Sequence, residues 1–338
     1  MNPANDQHVD TIQLPGWAGS PAVTRVLDAL HAFGGEGRFV GGCVRDNLLG
    51  RAIGDIDIAS NLSPEDVILA MKQVDIHVVP TGLAHGTVTA VVNHMPLEIT
   101  TLRRDVETDG RHARVKFTDR WSEDAARRDF TMNALYLDRQ GRIFDYFGGL
   151  ADLRDQKLRF IGMAADRIAE DYLRILRFFR FSAQLEILPP DPDGLAACVS
   201  ASASLQTLSR ERIWQEMRKL LIAPAAPSVL KIMQATGVTR HLIAGEDELF
   251  GSLDPLANMP AGRDTLRVLR RILPDVDRAR LLTEDWKLSR ADTGRLLRMY
   301  EFQLPEPVFQ TVSGLRRLLY RSGPETFRDL VWLALADD

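Results

Sequence analysis

Four consecutive residues, Asp55-Ile56-Asp57-Ile58, alternate acid with branched apolar side chain, and that alternation admits few folds. A strand points successive side chains to opposite faces, so the isoleucines would enter a core while Asp55 and Asp57 share the other face. Two carboxylates one residue apart on one face make an oxygen-donor pair for one or two divalent cations. Upstream, Arg38-Phe39-Val40 runs into Gly41-Gly42 and then Arg45-Asp46. Missing side chains at the glycine pair allow a close approach to phosphate, with backbone N–H groups free to point at it. The segment is not a Walker A loop, because no Gly-Lys-Ser/Thr follows. Nor is it a dinucleotide fingerprint, which needs a third glycine at another spacing before a helix. The pattern points to metal ions meeting a triphosphate.

The chain has 338 residues, 45% of them apolar, enough for two or three domains with real cores. Its two cysteines, Cys43 and Cys198, have no partner at metal-ligand or disulfide-framework spacing, which fits a reduced, cytoplasmic setting. Residues 1–20 lack the basic start and apolar run of a signal peptide, and no stretch of 18 uncharged apolar residues follows, so a soluble protein without a membrane partner is expected. A formal charge of −4 argues against coating by polyanions, though it leaves room for one basic surface. Between Arg263 and Arg298 ten basic residues face six acidic ones. That excess reads either as solvated helix faces or as a surface for a nucleic-acid backbone.

Two regions differ in pattern. From residue 20 to 149, helices (Ala22 to Ala32; Val44 to Leu49) alternate with short strand-like segments: Phe39-Val40, Asp55 to Ala59, Asp75 to Val79, Thr87 to Val92, Leu97 to Thr101 and Ala134 to Leu137. Ser63-Pro64-Glu65-Asp66 starts a helix, with a capping serine, proline in the first turn and acids where the helix dipole favours them. This predicts an α+β domain with a small mixed sheet and helices on one side. Past Gly149 the strands give way to helical patterns: Ala164 to Ala183, Ser209 to Ile222, Pro227 to Thr236, Gly262 to Leu273 and Thr326 to Ala336. A subdivision near Ala223 to Pro227 gives helical segments over 150–225 and 226–338.

Further motifs carry chemistry. Asn93-His94 joins two strands, and Glu98 on the second is either a third carboxylate beside Asp55 and Asp57 or a solvent-facing strand residue. His85 reads as structural, and no second histidine or cysteine supports zinc. Asp105 to Asp119, with Asp109, Gly110 and Arg111 at its tip, reads as a loop or hairpin, either a connection or a mobile element touching substrate. In EDAARRDFTMNAL, Arg127 and Arg128 offer guanidinium forks to phosphate or carboxylate, while Asp129 and Asn133 suit ribose hydroxyls or the bracing of a strand. DYFGGLADL, from Asp145, turns into the helical region, with Asp152 as a helix cap. In AEDYLRILRFFRF, Asp171 and Arg174 lie three apart on one helix face, with Arg177 a turn further, forming either an ion pair or a base-reading pair. Glu211, Arg212 and Glu216 in SRERIWQEMRKLL form a polar stripe backed by Ile213, Met217, Leu220 and Leu221.

Taken in order, these blocks resemble the class II tRNA nucleotidyltransferase and bacterial poly(A) polymerase family of the polymerase beta superfamily. GGCVRDNLLG with DID is the most specific block; RRDFTMNAL, DYFGGLADL, EDYLR and SRERIWQE follow, covering Phe39 to Leu221. The resemblance implies a polymerase-type head, then helical neck, body and tail. Asp55 and Asp57 would be catalytic and hold two Mg2+ ions, while Glu98 keeps its two readings, a third carboxylate of the site or a solvent-facing strand residue. Gly41, Gly42, Arg45, Arg127, Arg128, Asp129 and Asn133 would bind triphosphate and ribose. Glu170, Asp171 and Arg174 would read the base of CTP or ATP, with Arg177, Glu211, Arg212 and Glu216 as the supporting helical motif. Tyr172 departs from the proline that often follows the acidic pair, leaving the three reading residues in place. The implied reaction adds C, C and A to the tRNA 3' end and releases pyrophosphate. Poly(A) synthesis, CC-only or A-only addition, and a non-catalytic RNA-binding role are the alternatives. No histidine-aspartate phosphohydrolase constellation follows Pro227.

Overall fold

The computed structural model describes residues 6–108, 113–243, 250, 253, 264–302 and 311–335. Two compact units divide the chain, Met1–Asp171 and Tyr172–Asp338.

The first unit contains β1 (Asp10–Thr11), α1 (Pro21–Ala32), β2 (Gly37–Val40), α2 (Gly42–Leu48), β3 (Asp57–Ser60), α3 (Pro64–Gln73), β4 (His77–Gly82), β5 (Thr87–Val92) and β6 (Met95–Thr101). It continues with β7 (Arg103–Thr108), β8 (Ala113–Phe117), α4 (Trp121–Ala126), β9 (Leu135–Leu137), β10 (Arg142–Asp145), α5 (Gly149–Arg154) and α6 (Ala164–Glu170). Eight strands form one sheet in the order β1-β10-β9-β2-β3-β6-β5-β4, while β7 and β8 pair as a separate hairpin. Within the large sheet β3 and β6 run parallel, and its other pairs are antiparallel.

Local chemistry sets these boundaries. Ser20 and Ser63 accept hydrogen bonds from Val23 N and Asp66 N, capping α1 and α3, each with proline at its first position. Asn93 and His94 both take positive φ (51° and 64°), as a two-residue hairpin between β5 and β6 requires. Helices cover both faces of the sheet, not one. Gly37 on β2 faces Leu27 and Leu30 of α1, whereas Val40, Ala59 and Tyr136 on the opposite face pack with Trp121 and Ala125 of α4. Strand alternation fixes both sets, but a helix as short as α4 shows too little periodicity to be assigned a face from sequence.

Asp152 does not cap a helix. It lies inside α5, accepting from the Thr131 hydroxyl at 2.6 Å and from Arg159 Nε at 2.8 Å. The free N–H groups of that turn go to Asp145, which accepts from Phe147, Gly149 and Leu150. Gly149 has a steric reason to be glycine: a Cβ there would lie 2.2 Å from the Thr131 carbonyl oxygen.

In the second unit the elements are α7 (Leu173–Leu185), α8 (Pro192–Ser200), α9 (Arg210–Leu221), α10 (Ala226–Ala235), α11 (Thr265–Ile272), α12 (Val276–Asp285), α13 (Arg290–Tyr300) and α14 (Val312–Leu335), with no strand among its described residues. The continuous helix expected from Ala164 to Ala183 is broken. Asp171 is extended (φ −155°, ψ 106°), so α6 and α7 are separate and belong to different units. Their apolar periodicities serve two cores: α6 buries Ile168, while α7 buries Ile175, Leu176, Phe178 and Phe179. A sequence window reads the two stripes as one. α14 kinks at Gly323 (φ 77°), followed by Pro324. No described helix is long and apolar enough to cross a membrane.

Candidate active site

Asp57 opens β3, and Asp55 precedes the strand, so alternation within a strand does not place the pair as expected. The ladder explains the difference. β2 pairs with β3 from Gly37↔Ser60 to Phe39↔Ile58, then turns away at Gly41, whose φ of +75° suits glycine. With β2 diverted into α2, nothing on that side extends β3 toward Asp55. On the other side Asp57 is in direct register with Glu98 of β6. Burial pushes the Asp57 carboxyl up to about 6, reinforced by the charges of Glu98 and Asp55 and opposed by Arg128. Three carboxylates and one guanidinium therefore share one electrostatic neighbourhood.

The guanidinium is held by a carboxylate that the motif reading passed over. Asp124 on α4 is buried and accepts from Arg127 Nε at 2.8 Å, from Arg128 Nη2 at 3.0 Å and from the Tyr136 hydroxyl at 2.7 Å. Burial raises its carboxyl, yet Arg128 and Arg127 with Tyr136 outweigh burial and hold it down at about 2. Arg167 of α6 donates to the carbonyls of Arg127 (2.6 Å) and Arg128 (2.8 Å) and pairs with Glu170, clamping the backbone of the same turn. Spacing offered a signal for Asp124, three and four residues before the arginines on one helix face. None existed for Arg167, 39 and 40 residues away.

A second network joins the glycine turn to the RRDFTMN segment. Arg45 donates through Nε and Nη2 to both oxygens of Asp46, each at 2.8 Å, and through Nη1 to Asn133 Oδ1 at 2.7 Å. Asn133 Nδ2 donates to Asp129 at 3.1 Å. A Cβ on Gly41 would meet Arg128 Nη1 at 3.6 Å and the Asn133 carbonyl at 3.8 Å, so the turn lies against both networks. The structure thus gathers Gly41, Gly42, Arg45, Asp129 and Asn133 in one place, sets Arg128 in the electrostatic neighbourhood of Asp57, and joins Arg127 to Arg128 through Asp124. Asp109, Gly110 and Arg111 lie outside the described residues.

Asp55, Asp57 and Glu98 supply hard oxygen donors and no sulfur or nitrogen, the set that Mg2+ prefers over zinc. Among the described residues no three His, Cys, Asp or Glu side chains form a closed metal cage.

Residues 37–159 match a family profile described as the poly A polymerase head domain, and residues 188–247 one described as the probable RNA and SrmB-binding site of polymerase A. The CCA-adding enzyme of Streptococcus sanguinis is 40% identical over 272 residues, 78% of this chain and 67% of that protein. The chain belongs to the poly(A) polymerase head-domain family that includes the CCA-adding enzymes. The mitochondrial CCA tRNA nucleotidyltransferase 1 of Danio rerio is 41% identical over 61% of this chain and 48% of its own length. The chain spans about half the length of the first such relatives, which are animal proteins. The Bacillus stearothermophilus CCA-adding enzyme, crystallised with CTP, superposes with a TM-score of 0.77 at 29% identity, covering 94% of this chain and 78% of that one.

Other members of the family motif set lie at the end of the first unit and in the second. Glu170 ends α6 and Asp171 comes next in extended conformation, whereas Arg174 sits in the first turn of α7, so Asp171 and Arg174 do not share a helix face. Within the second unit, Glu216 of α9 is buried and accepts from Arg180 Nε of α7 at 2.5 Å, with Arg177 3.9 Å away. That pairing pins α7 to α9. Glu211 pairs with Lys287 at 2.8 Å on the surface, and Arg212 is partly exposed on α9.

Proposed function

We propose that the protein is a CCA tRNA nucleotidyltransferase, which adds C, C and A to tRNA 3' ends from CTP and ATP. The observation that carries this reading is the meeting of Asp57, Glu98, Asp55 and Arg128 at the start of β3, beside the Gly41 turn. The 3' hydroxyl of the RNA attacks the alpha phosphorus in line, forming a new phosphodiester bond while the bond to pyrophosphate breaks. Asp55 and Asp57 would hold two Mg2+ ions, which supply acidification of the attacking hydroxyl and neutralisation of the departing pyrophosphate. Arg128 and Arg127, fixed by Asp124, place positive charge where the triphosphate gains negative charge. The Gly41 turn lets phosphate approach the backbone, and Arg45, Asn133 and Asp129 brace that turn and address the ribose. Reading of the base is assigned to Glu170, Asp171 and Arg174 on the strength of the EDYLR pattern.

Support for tRNA as partner comes from the relatives' names and from charge in the second unit. Two of the basic residues counted between Arg263 and Arg298 are tied up inside the unit: Arg267 and Arg295 both donate to buried Asp329, and Arg295 also pairs with Asp264. The first half of α14 instead exposes Arg316, Arg317 and Arg321 around Tyr320, which is 92% exposed, and residues 311–324 contain no acid. Cations flanking an exposed ring suit a nucleic-acid backbone and its bases. A cytoplasmic setting is supported by two buried free thiols, Cys43 and Cys198.

The deciding experiment gives the protein tRNA transcripts ending before, within and after the CCA sequence, with each nucleotide supplied singly and the products sequenced. Addition of C to the first and A to the transcript ending in CC is expected. Long A tails on unrelated RNA without C addition would overturn this choice in favour of poly(A) synthesis.

A further inference from the structure

We propose that Asp6, which lies upstream of the family-matched segment, is a positioning residue for the catalytic head: it holds the buried Arg38 between two aromatic rings and, through them, fixes α4 and the arginine pair that α4 anchors. Arg38 lies on β2 and is 2% exposed. Its guanidinium carbon is 3.6 Å from the Phe144 ring centre and 4.1 Å from that of Trp121. The ring faces attract the cation but leave its in-plane N–H groups unpaired. Those groups find partners at the edges. Nε donates to Glu36 at 2.7 Å, Nη1 and Nη2 to the two oxygens of Asp6 at 2.8 and 2.6 Å, and Nη1 also to the Tyr146 hydroxyl at 3.1 Å. The Tyr146 hydroxyl in turn donates to Asp6. A two-oxygen fork on a planar guanidinium fixes orientation as well as charge.

From Arg38 a chain of contacts leads to the site. Trp121 is the first residue of α4 and meets Tyr136 edge-to-face with ring centres 5.5 Å apart. Tyr136 donates to Asp124, and Asp124 holds Arg127 and Arg128. Removing the Asp6 carboxylate leaves a buried guanidinium with Glu36, at the surface, as its remaining carboxylate. The cation then shifts toward Glu36 and solvent, the Trp121 ring loses its stacking partner, and α4 loosens with its arginines.

The test uses the full chain carrying Asp6→Asn, Asp6→Glu, Arg38→Met and the double change Asp6→Asn with Arg38→Met. Two quantities are read at a temperature where circular dichroism shows each variant folded: amide exchange across residues 121–126, and KM and kcat for CTP on a tRNA lacking CCA. Asp6→Asn is expected to raise exchange in α4 about tenfold and KM for CTP about fivefold, with kcat moving less. Asp6→Glu restores both. Adding Asp6→Asn to Arg38→Met changes neither quantity beyond Arg38→Met alone, because no buried cation then needs a counter-charge. A folded Asp6→Asn protein with unaltered exchange and KM, even one that melts earlier, overturns the proposal. If Asp6→Asn does not fold, the Arg38→Met background decides: unchanged exchange and KM on removing Asp6 there supports the pair, and a further rise overturns it. The kinetic arm rests on the proposed function. A wild-type protein that adds no nucleotide would defeat that reading, and the exchange arm would still decide the role of Asp6.

Discussion

Carboxylates do opposite jobs within the head, and their surroundings separate those jobs. Asp57 sits among like charges and is pushed up to about 6, a state that a divalent cation relieves, whereas Asp124 sits between two guanidinium groups and is held at about 2. Replacing Asp55 and Asp57 together with alanine should leave the fold intact and lower Mg2+-dependent incorporation at least about a thousandfold, read by single-nucleotide extension against a circular dichroism control. Asp124→Asn should behave differently, destabilising the head by about 3 kcal/mol in urea unfolding near pH 7, because two half-buried arginines lose their buried anion. The sign of its pH dependence comes from linkage. Asp124 has a folded pKa below its unfolded value of about 4, so its stabilisation is complete above about pH 4 and is lost as pH falls through about 2. The variant's stability should therefore vary less than wild type over that window. Arg174→Ala should change the CTP-to-ATP preference about tenfold in competition assays while leaving the melting temperature near wild type. Unchanged preference would remove Arg174 from base reading.

At the level of elements, close backbone approaches hold the site together. The Gly149 Cα lies against the Thr131 carbonyl, and the Thr131 hydroxyl donates to Asp152, so α5 is locked to the segment that carries Asp129 and Asn133. Gly149→Ala inserts a methyl where no space exists and should destabilise the head by about 1–3 kcal/mol in urea unfolding. Wild-type stability in that variant would mean the approach relaxes freely. Elements with their own chemical punctuation were legible in sequence: the capped starts of α1 and α3, the Asn93-His94 hairpin, and the apolar backing of α9 by Ile213, Met217, Leu220 and Leu221, all buried. Elements defined by a partner were not. β3 starts at Asp57 because β2 leaves at Gly41, and α6 stops at Glu170 although the apolar periodicity runs on, since the residues of α7 belong to another core.

Across the whole molecule, a count of charges along the sequence includes some that the fold takes inside. Arg267 and Arg295 are consumed by Asp329, 62 and 34 residues away, while the acid-free start of α14 stays open. Arg316→Glu with Arg317→Glu should weaken tRNA binding and lower the slope of log affinity against log salt by about 2, measured by filter binding over a salt series. An unchanged slope would place the RNA elsewhere. The sequence by itself determined the α+β head and helical remainder, the acidic strand start, the glycine turn and the arginine pair, because periodicity, caps and short motifs are local properties of the chain. Tertiary structure alone decided that Glu98 stands in register with Asp57, that Arg167 clamps the backbone of the arginine pair, and that Asp6 meets Arg38. Each of those contacts joins residues whose separation along the chain carries no periodic signal, and burial of charge, which makes them matter, exists only once the chain has closed around them.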